Sequence, residues 1–245
     1  MVDALQHQLA DCIRLNNLVQ ELEEIPNGWR VFSKDGINEY GAVVLAAPAH
    51  CLTKVLLRTN SAPSLSFEEI KHPPIASIVL GFRRDKVAHP LDGFGVLVPA
   101  VEQMNILGVL FSSSLFPNRA PDGHVTLTCF VGGCRNPDLA LTDRPALRRL
   151  VLEDLKRLLG VTGSPTFEHY STFRQSIPQY DVGFGKFKEL MNRIEASAPG
   201  LYFAGHYRDG ISVGDSIASA EKAATQIVQF FKHSHSHTSP DLATA

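Results

Sequence analysis

The residues best placed for chemistry lie at 201–232, LYFAGHYRDGISVGDSIASAEKAATQIVQFFK. An apolar run, Leu201 to Ala204, leads into a loop bearing Gly205, Gly210 and Gly214, and a long helical pattern follows, with Asp215 and Ser216 as cap or first-turn residues. Backbone N–H groups without intrahelical partners and the positive end of the helix dipole meet at such a start, which suits the electron-rich end of a cofactor. Ala218, Ala220, Ala223 and Ala224 let the helix approach a flat surface closely. The same turn serves plain structural ends in many α/β proteins, and the chain has no G-x-G-x-x-G. It also has no H-E-x-x-H and no defensible pair of carboxylates, so no catalytic side chain is assigned. His233, His235 and His237 sit in the Ser-rich HSHSHTSPDLATA; its composition reads as a solvated tail rather than a metal centre.

Three further segments accompany this one: VVLAAPA at 43–49, PLDGFGVLVP with SSSLFPNRAPDG within 90–123, and SIPQY at 176–180. Together, from about Leu5 to Phe231, they resemble the C-terminal half of the protoporphyrinogen and coproporphyrinogen oxidases, within the flavin amine-oxidase-like superfamily. SSSLFPNRAP and IPQY carry the family signal, against an amine oxidase or a carotenoid desaturase. The resemblance implies FAD as cofactor and a porphyrinogen as substrate, with six electrons leaving the macrocycle in three flavin cycles and oxygen as acceptor. It sets Val19 by the adenine end, and His206, Ile211, Ser212, Val213 and Gly214 along the flavin ring and ribityl chain. His206 receives no acid or base role. Leu91, Leu107 and Leu127 become the substrate-lining aliphatic positions.

The residues themselves leave plainer readings open. Val19 also suits a strand core, Ile211 and Val213 also suit packing beneath the helix, and the three leucines also suit the interior of a sheet. Ala46, Ala47 and Pro48 allow close approach of a cofactor, or belong to an ordinary buried strand. Arg119, Arg135 and Arg174 are candidates to pair substrate carboxylates. The Pro and Tyr of SIPQY shape a flavin-facing wall or end a strand.

These residues need elements to position them. MVDALQHQLA reads as a short amphipathic helix, and CIRLNNLVQELEEI as a strand. Asn27-Gly28 signals a hairpin returning through WRVFSK, with a second turn at Asp35-Gly36. GAVVLAAPA reads as a strand buried on both faces, as in a parallel sheet. Pro73-Pro74 closes a crossover in which a helix fits at 63–70. IASIVLGF, GFGVLVPA, NILGVLFSS and HVTLTCFVGG then read as an antiparallel sheet punctuated by turn residues. The clearest helix spans 143–160, capped by Thr142 or Asp143, with Pro145 in its first turn and Gly160 as its stop. TFEHYSTF is a strand, and 185–196 a helix.

The fold class expected is therefore α/β with α+β character: an incomplete Rossmann-like FAD-binding domain interleaved with an antiparallel-sheet substrate domain. The expected boundaries are 1–50 and 200–232 for the cofactor domain, 51–199 for the substrate domain and 233–245 for a disordered tail. The 245 residues allow a sizeable core. A net charge of -2 gives no case for nucleic acid. Four cysteines without C-x-x-C read as reduced thiols in a cytoplasmic protein, peripheral at a membrane if at one at all, and no apolar run is long enough to span a bilayer. Without a glycine-rich pyrophosphate loop, the chain alone is expected to hold flavin poorly. It would need a separate N-terminal half or self-association, or else be a non-catalytic porphyrin- or partner-binding remnant.

Overall fold

The computed structural model describes residues 1–59, 63 and 66–236. In chain order the strands are β1 (Val19–Ile25), β2 (Gly28–Ser33), β3 (Gly36–Tyr40), β4 (Val43–Leu45) and β5 (Leu56–Arg58). Then come β6 (Ile75–Arg83), β7 (Gly95–Leu97), β8 (Ile106–Leu110), β9 (His124–Gly132), β10 (Phe167–Phe173) and β11 (Leu201–Phe203). The α-helices are α1 (Val2–Gln8), α2 (Ala49–Leu52), α3 (Ser112–Leu115), α4 (Arg144–Leu159), α5 (Gly185–Ser197) and α6 (Val213–Ser236). They fall into two compact units, one from 1–71 together with 178 onward, the other from 72–177. Residues 51–71 and 178–199 thus pack with the first unit.

In the first unit the hairpin expected at Asn27-Gly28 forms, and β3-β2-β1-β5 make a four-stranded sheet in which β5 runs parallel to β1. Trp29 is fully buried and its Nε1 donates to the Pro199 carbonyl at 3.0 Å, joining the hairpin to the segment after α5. β4 pairs in parallel with β11, and α6 follows β11. Lys71 O accepts from Gln179 N at 2.8 Å and Lys71 Nζ lies 2.7 Å from Asp181 Oδ2, so the two strands of chain that bracket residues 72–177 lie side by side.

Several sequence expectations shift here. The strand expected from Cys12 begins only at Val19; Ala10–Cys12 is a single 3₁₀ turn, and Leu15 and Leu18 are exposed. β4 is not buried on both faces: Val44 is 39% exposed while Leu45 is buried. A helix at 63–70 is not seen at 66–70, where the chain makes a turn, and part of that range lies outside the described residues. The expected tail starts too early. Nothing between 232 and 236 breaks a helix, so α6 continues to Ser236, with His233 Nδ1 2.7 Å from the Gln229 carbonyl. The remainder of the expected tail lies outside the described residues.

The second unit is an antiparallel sheet of order β10-β6-β9-β8-β7. Its strands alternate, as a half-buried sheet requires. Val125, Leu127, Cys129 and Val131 of β9, with Ala76, Ile78, Leu80 and Phe82 of β6, form one core with Leu147, Val151, Leu155 and Leu159 of α4. Asp143 Oδ1 caps α4 by accepting from Ala146 N at 2.9 Å, and Gly160, at φ 62°, ends it in the left-handed conformation.

One polar group enters that core. Asp154 of α4 is 1% exposed, and its Oδ2 accepts from the N–H of Asn105 at 2.6 Å and of Ile106 at 3.0 Å. This ties the start of β8 to the helix. Asp154→Ala would strand two backbone donors and should cost about 3 kcal/mol in urea unfolding; a change under about 0.5 kcal/mol would show that water serves them equally well.

Candidate functional site

The strand–loop–helix at 201–236 forms as the sequence suggested, with Asp215 and Ser216 in the first turn of α6. The cap is Ser212. Ser212 Oγ accepts from Asp215 N at 3.0 Å, and Asp215 Oδ2 accepts from Ser212 N at 3.1 Å, a reciprocal capping box. These bonds hold the Asp215 carboxyl below its usual range, Ser212's side chain contributing most. Gly210 makes room for it: a Cβ there would lie 2.5 Å from the Asp215 carboxylate.

The box uses the third donor of the helix and leaves the first two. Val213 N and Gly214 N have no protein acceptor among the described residues. A Cβ on Gly214 would meet only Ser212 Oγ, at 3.7 Å. Ile211 and Val213 are 47% and 62% exposed. They do not pack beneath the helix, which removes the plainer reading of both. The outcome is a pair of backbone donors at a positive helix end, framed by apolar side chains, which fits one edge of a flat, electron-rich ring.

The loop that carries this edge is braced from behind. Arg208 is buried and its guanidinium grips Glu195 of α5, Nη1 to Oε1 and Nη2 to Oε2 at 2.8 Å, with Nη2 also 3.2 Å from Asn192 Oδ1. Glu195 Oε1 also accepts from Phe203 N at 2.8 Å, at the end of β11. Ser219 of α6 donates to Asp209 at 2.5 Å and accepts from Gly205 N at 2.9 Å. Tyr207 is buried, its hydroxyl donates to the Leu45 carbonyl, and burial pushes its pKa up. His206 is half-buried, and its carbonyl accepts from Tyr180 at 2.7 Å. Tyr180, from the SIPQY segment, stacks on Phe184 at 4.1 Å.

Val19 lies elsewhere in this unit. It lines a cavity of about 480 Å³ together with Val43, Val44, Ala46, Ala47 and Cys51. Val19 and the VVLAAPA segment are therefore brought together, whereas none of the loop residues 206–214 lines that cavity.

In the second unit the core covers one face of the sheet. The opposite face holds an apolar cavity of about 750 Å³, lined by Phe94, Leu97, Leu107, Leu110, Phe130 and Phe173 among others, with Ser77 and Ser176 as its hydroxyls. This volume lies in the range of about 300–1,000 Å³ usual for small-molecule sites. Leu107 belongs to it. Leu127 and Leu91 do not: Leu127 has no exposed surface, Leu91 is 3% exposed, and both join the core. The reason for Leu127 is parity, since it shares the α4 side of β9 with Val125 and Cys129 while Phe130 faces the cavity. Leu97, Leu110 and Phe130 went unnoticed in the sequence. Counting from the buried set by odd steps would have found Phe130.

The family model for flavin containing amine oxidoreductases matches residues 1–228. The chain belongs to that family. It is 33% identical over 250 residues to the mitochondrial protoporphyrinogen oxidase of Nicotiana tabacum, covering 95% of this chain and 50% of that protein. It is 37% identical over 207 residues to protoporphyrinogen oxidase 2, chloroplastic/mitochondrial, of Arabidopsis thaliana, covering 82% of this chain and 41% of that one. The chain thus spans about half the length, or less, of these relatives. A crystal structure from Exiguobacterium sp. 255-15 assigned to protoporphyrinogen oxidase superposes with a TM-score of 0.72 at 22% identity, over 93% of this chain and 51% of that one. At that identity the likeness speaks to the fold, which is that of the flavin-dependent oxidoreductases.

The bracing predicts its own test. Glu195→Ala would leave Arg208 charged, buried and unpaired, and should cost about 3–5 kcal/mol in urea unfolding. Glu195→Gln, which keeps an acceptor, should cost less. Equal losses from both would mean that the side chain's packing, not its charge, holds the loop.

Proposed function

We propose that this chain supplies the substrate-binding sheet and the C-terminal part of the flavin site of an FAD-dependent protoporphyrinogen oxidase of haem and porphyrin biosynthesis, with oxygen as electron acceptor. The observation that carries the reading is the start of α6, where Val213 N and Gly214 N are unclaimed beside the outward-facing Ile211 and Val213. The names of the tobacco and Arabidopsis relatives supply the substrate.

Bound FAD would supply the redox chemistry, taking hydride equivalents from the macrocycle and passing electrons to oxygen. The chain's own part is binding and electrostatics. Val213 N–H and Gly214 N–H would donate to the electron-rich edge of the ring, where negative charge gathers on reduction. Ile211 and Val213 would pack against its face. Ser212 would act through the cap, since its hydroxyl is committed to Asp215. Val19, with Ala46 and Ala47, would meet the adenine end, and the His206 backbone would support the loop. In the sheet, Leu107 with Leu97, Leu110 and Phe130 would hold the apolar macrocycle away from water. Leu91 and Leu127 would support that surface from within. The flavin site would be completed by the part of the relatives' length that lies outside the match, on the same or a separate chain, or by a second copy. The cysteines, all free, suit a reducing cytoplasmic setting, with contact to a membrane surface as a peripheral protein. Among the described residues, no helix is long and apolar enough to cross a membrane.

The test is flavin retention after gel filtration, with the chain alone and mixed with the portion of the tobacco relative that lies outside the match. The mixture should keep a flavin absorption spectrum and turn added protoporphyrinogen fluorescent. Val213→Pro offers a sharper readout. Proline at the first helical position keeps the helix but deletes its N–H, so FAD affinity of the mixture should fall about tenfold with thermal stability unchanged. Unaltered FAD affinity would remove the helix start from the site. A mixture without flavin or turnover would leave the chain a porphyrin- or partner-binding module.

A further inference from the structure

A second cavity, of about 660 Å³, opens on the same face of the same sheet. Its chemistry differs from that of the apolar one. Arg119, His124, Ser112 and Thr128 line it, with the exposed rings of Phe116 and Phe167 at hand. Ser112 Oγ and Thr128 Oγ1 share a hydrogen bond at 2.8 Å, which leaves one hydroxyl proton to donate outward. Thr126 Oγ1 donates to the Arg119 carbonyl at 2.7 Å, fastening the FPNRAP loop to β9.

The Arg119 guanidinium lies over the Phe116 ring at 5.8 Å and pairs with no carboxylate among the described residues. Glu168, beside Phe167 on β10, lies on the opposite face of the sheet and accepts from Arg148 Nε at 2.7 Å. A guanidinium held over a ring face in this way gives up none of its N–H donors to it, and their fork geometry takes a carboxylate. The other arginines named from sequence are used differently. Arg135 Nη2 donates to the Val98 carbonyl at 2.7 Å, and Arg174 lines neither cavity.

The two cavities adjoin along two strands. Thr128 belongs to one and Phe130 to the other, as do Val79 and Ser77 on β6. Residues two apart on a strand are about 7 Å apart, well within the reach of a short acid side arm on a ring. We infer that this second cavity seats a carboxylate arm of the ligand whose apolar ring occupies the first, gripped by Arg119 and the Ser112–Thr128 hydroxyls. The assignment rests on the porphyrinogen reading above and adds to it the residue that sets the orientation of the ring.

Protoporphyrin IX and its dimethyl ester are the probes, titrated by fluorescence against the full chain. The diacid should bind about tenfold tighter than the diester. Arg119→Gln should erase that preference and leave the diester unchanged; Arg119→Lys should restore only part of it. Arg174→Gln makes the same charge change outside the cavity and should alter neither probe. Phe130→Ala should weaken both alike. Equal binding of the two probes by the unaltered chain, or an Arg119→Gln variant that still prefers the diacid, overturns the assignment and leaves the porphyrinogen reading standing. If the unaltered chain binds neither probe, that reading falls and this one with it.

Discussion

A buried arginine must keep its carboxylate. Arg208 sits in a loop with almost no contact with water, and Glu195, one helix earlier, is the group that makes its burial tolerable. The pair fixes more than itself. Through Phe203 N it registers the end of β11 against α5, and through the neighbouring Asp209, Ser219 and Gly205 it registers the loop against α6. With its back held in this way, the loop can leave Ile211, Val213 and two backbone donors facing outward without collapsing onto its own helix.

The antiparallel sheet works on a different constraint, the two-residue period of a strand. Every second residue of β6 and β9 is committed to α4, and this commitment decides what the other face can be. Because the core set on β9 is Val125, Leu127, Cys129 and Val131, the open set is Thr126, Thr128 and Phe130. The open face therefore grades from hydroxyls to an aromatic ring along a single strand. The same alternation leaves Cys129 inert: it is wholly buried, and desolvation raises its pKa.

Much of this was legible in the residues. The antiparallel sheet, α4 with its Asp143 cap and Gly160 stop, the hairpin at Asn27-Gly28 and the final strand–loop–helix all follow from local pattern and turn chemistry. What escaped was whatever depends on partners far along the chain. β4 looked like a strand buried on both faces because VVLAAP is continuously apolar, yet Val44 is exposed. In sequence Asp215 reads as cap or first-turn residue; only its mutual bonding with Ser212 shows that it lies in the first turn and that Ser212 starts the helix. The resemblance pointed to Leu127, and only its place in the alternation tells the core face from the open one. Arg119, Arg135 and Arg174 were indistinguishable in sequence, and their surroundings separate them.

The contact between Lys71 and Gln179 bears on the order in which the molecule is made. Residues 72–177 leave the first unit and return to it at one point, so the second unit is a closed excursion whose strands find all their partners within it. On a ribosome it can condense as soon as it emerges. The first unit cannot, because β4 waits for β11 and Trp29 for the Pro199 carbonyl, both synthesised after the whole excursion. During that interval the face of β4 and the indole of Trp29 lack their cover. That interval, rather than any weakness of the finished structure, is when the nascent chain is most exposed to aggregation and most in need of a chaperone.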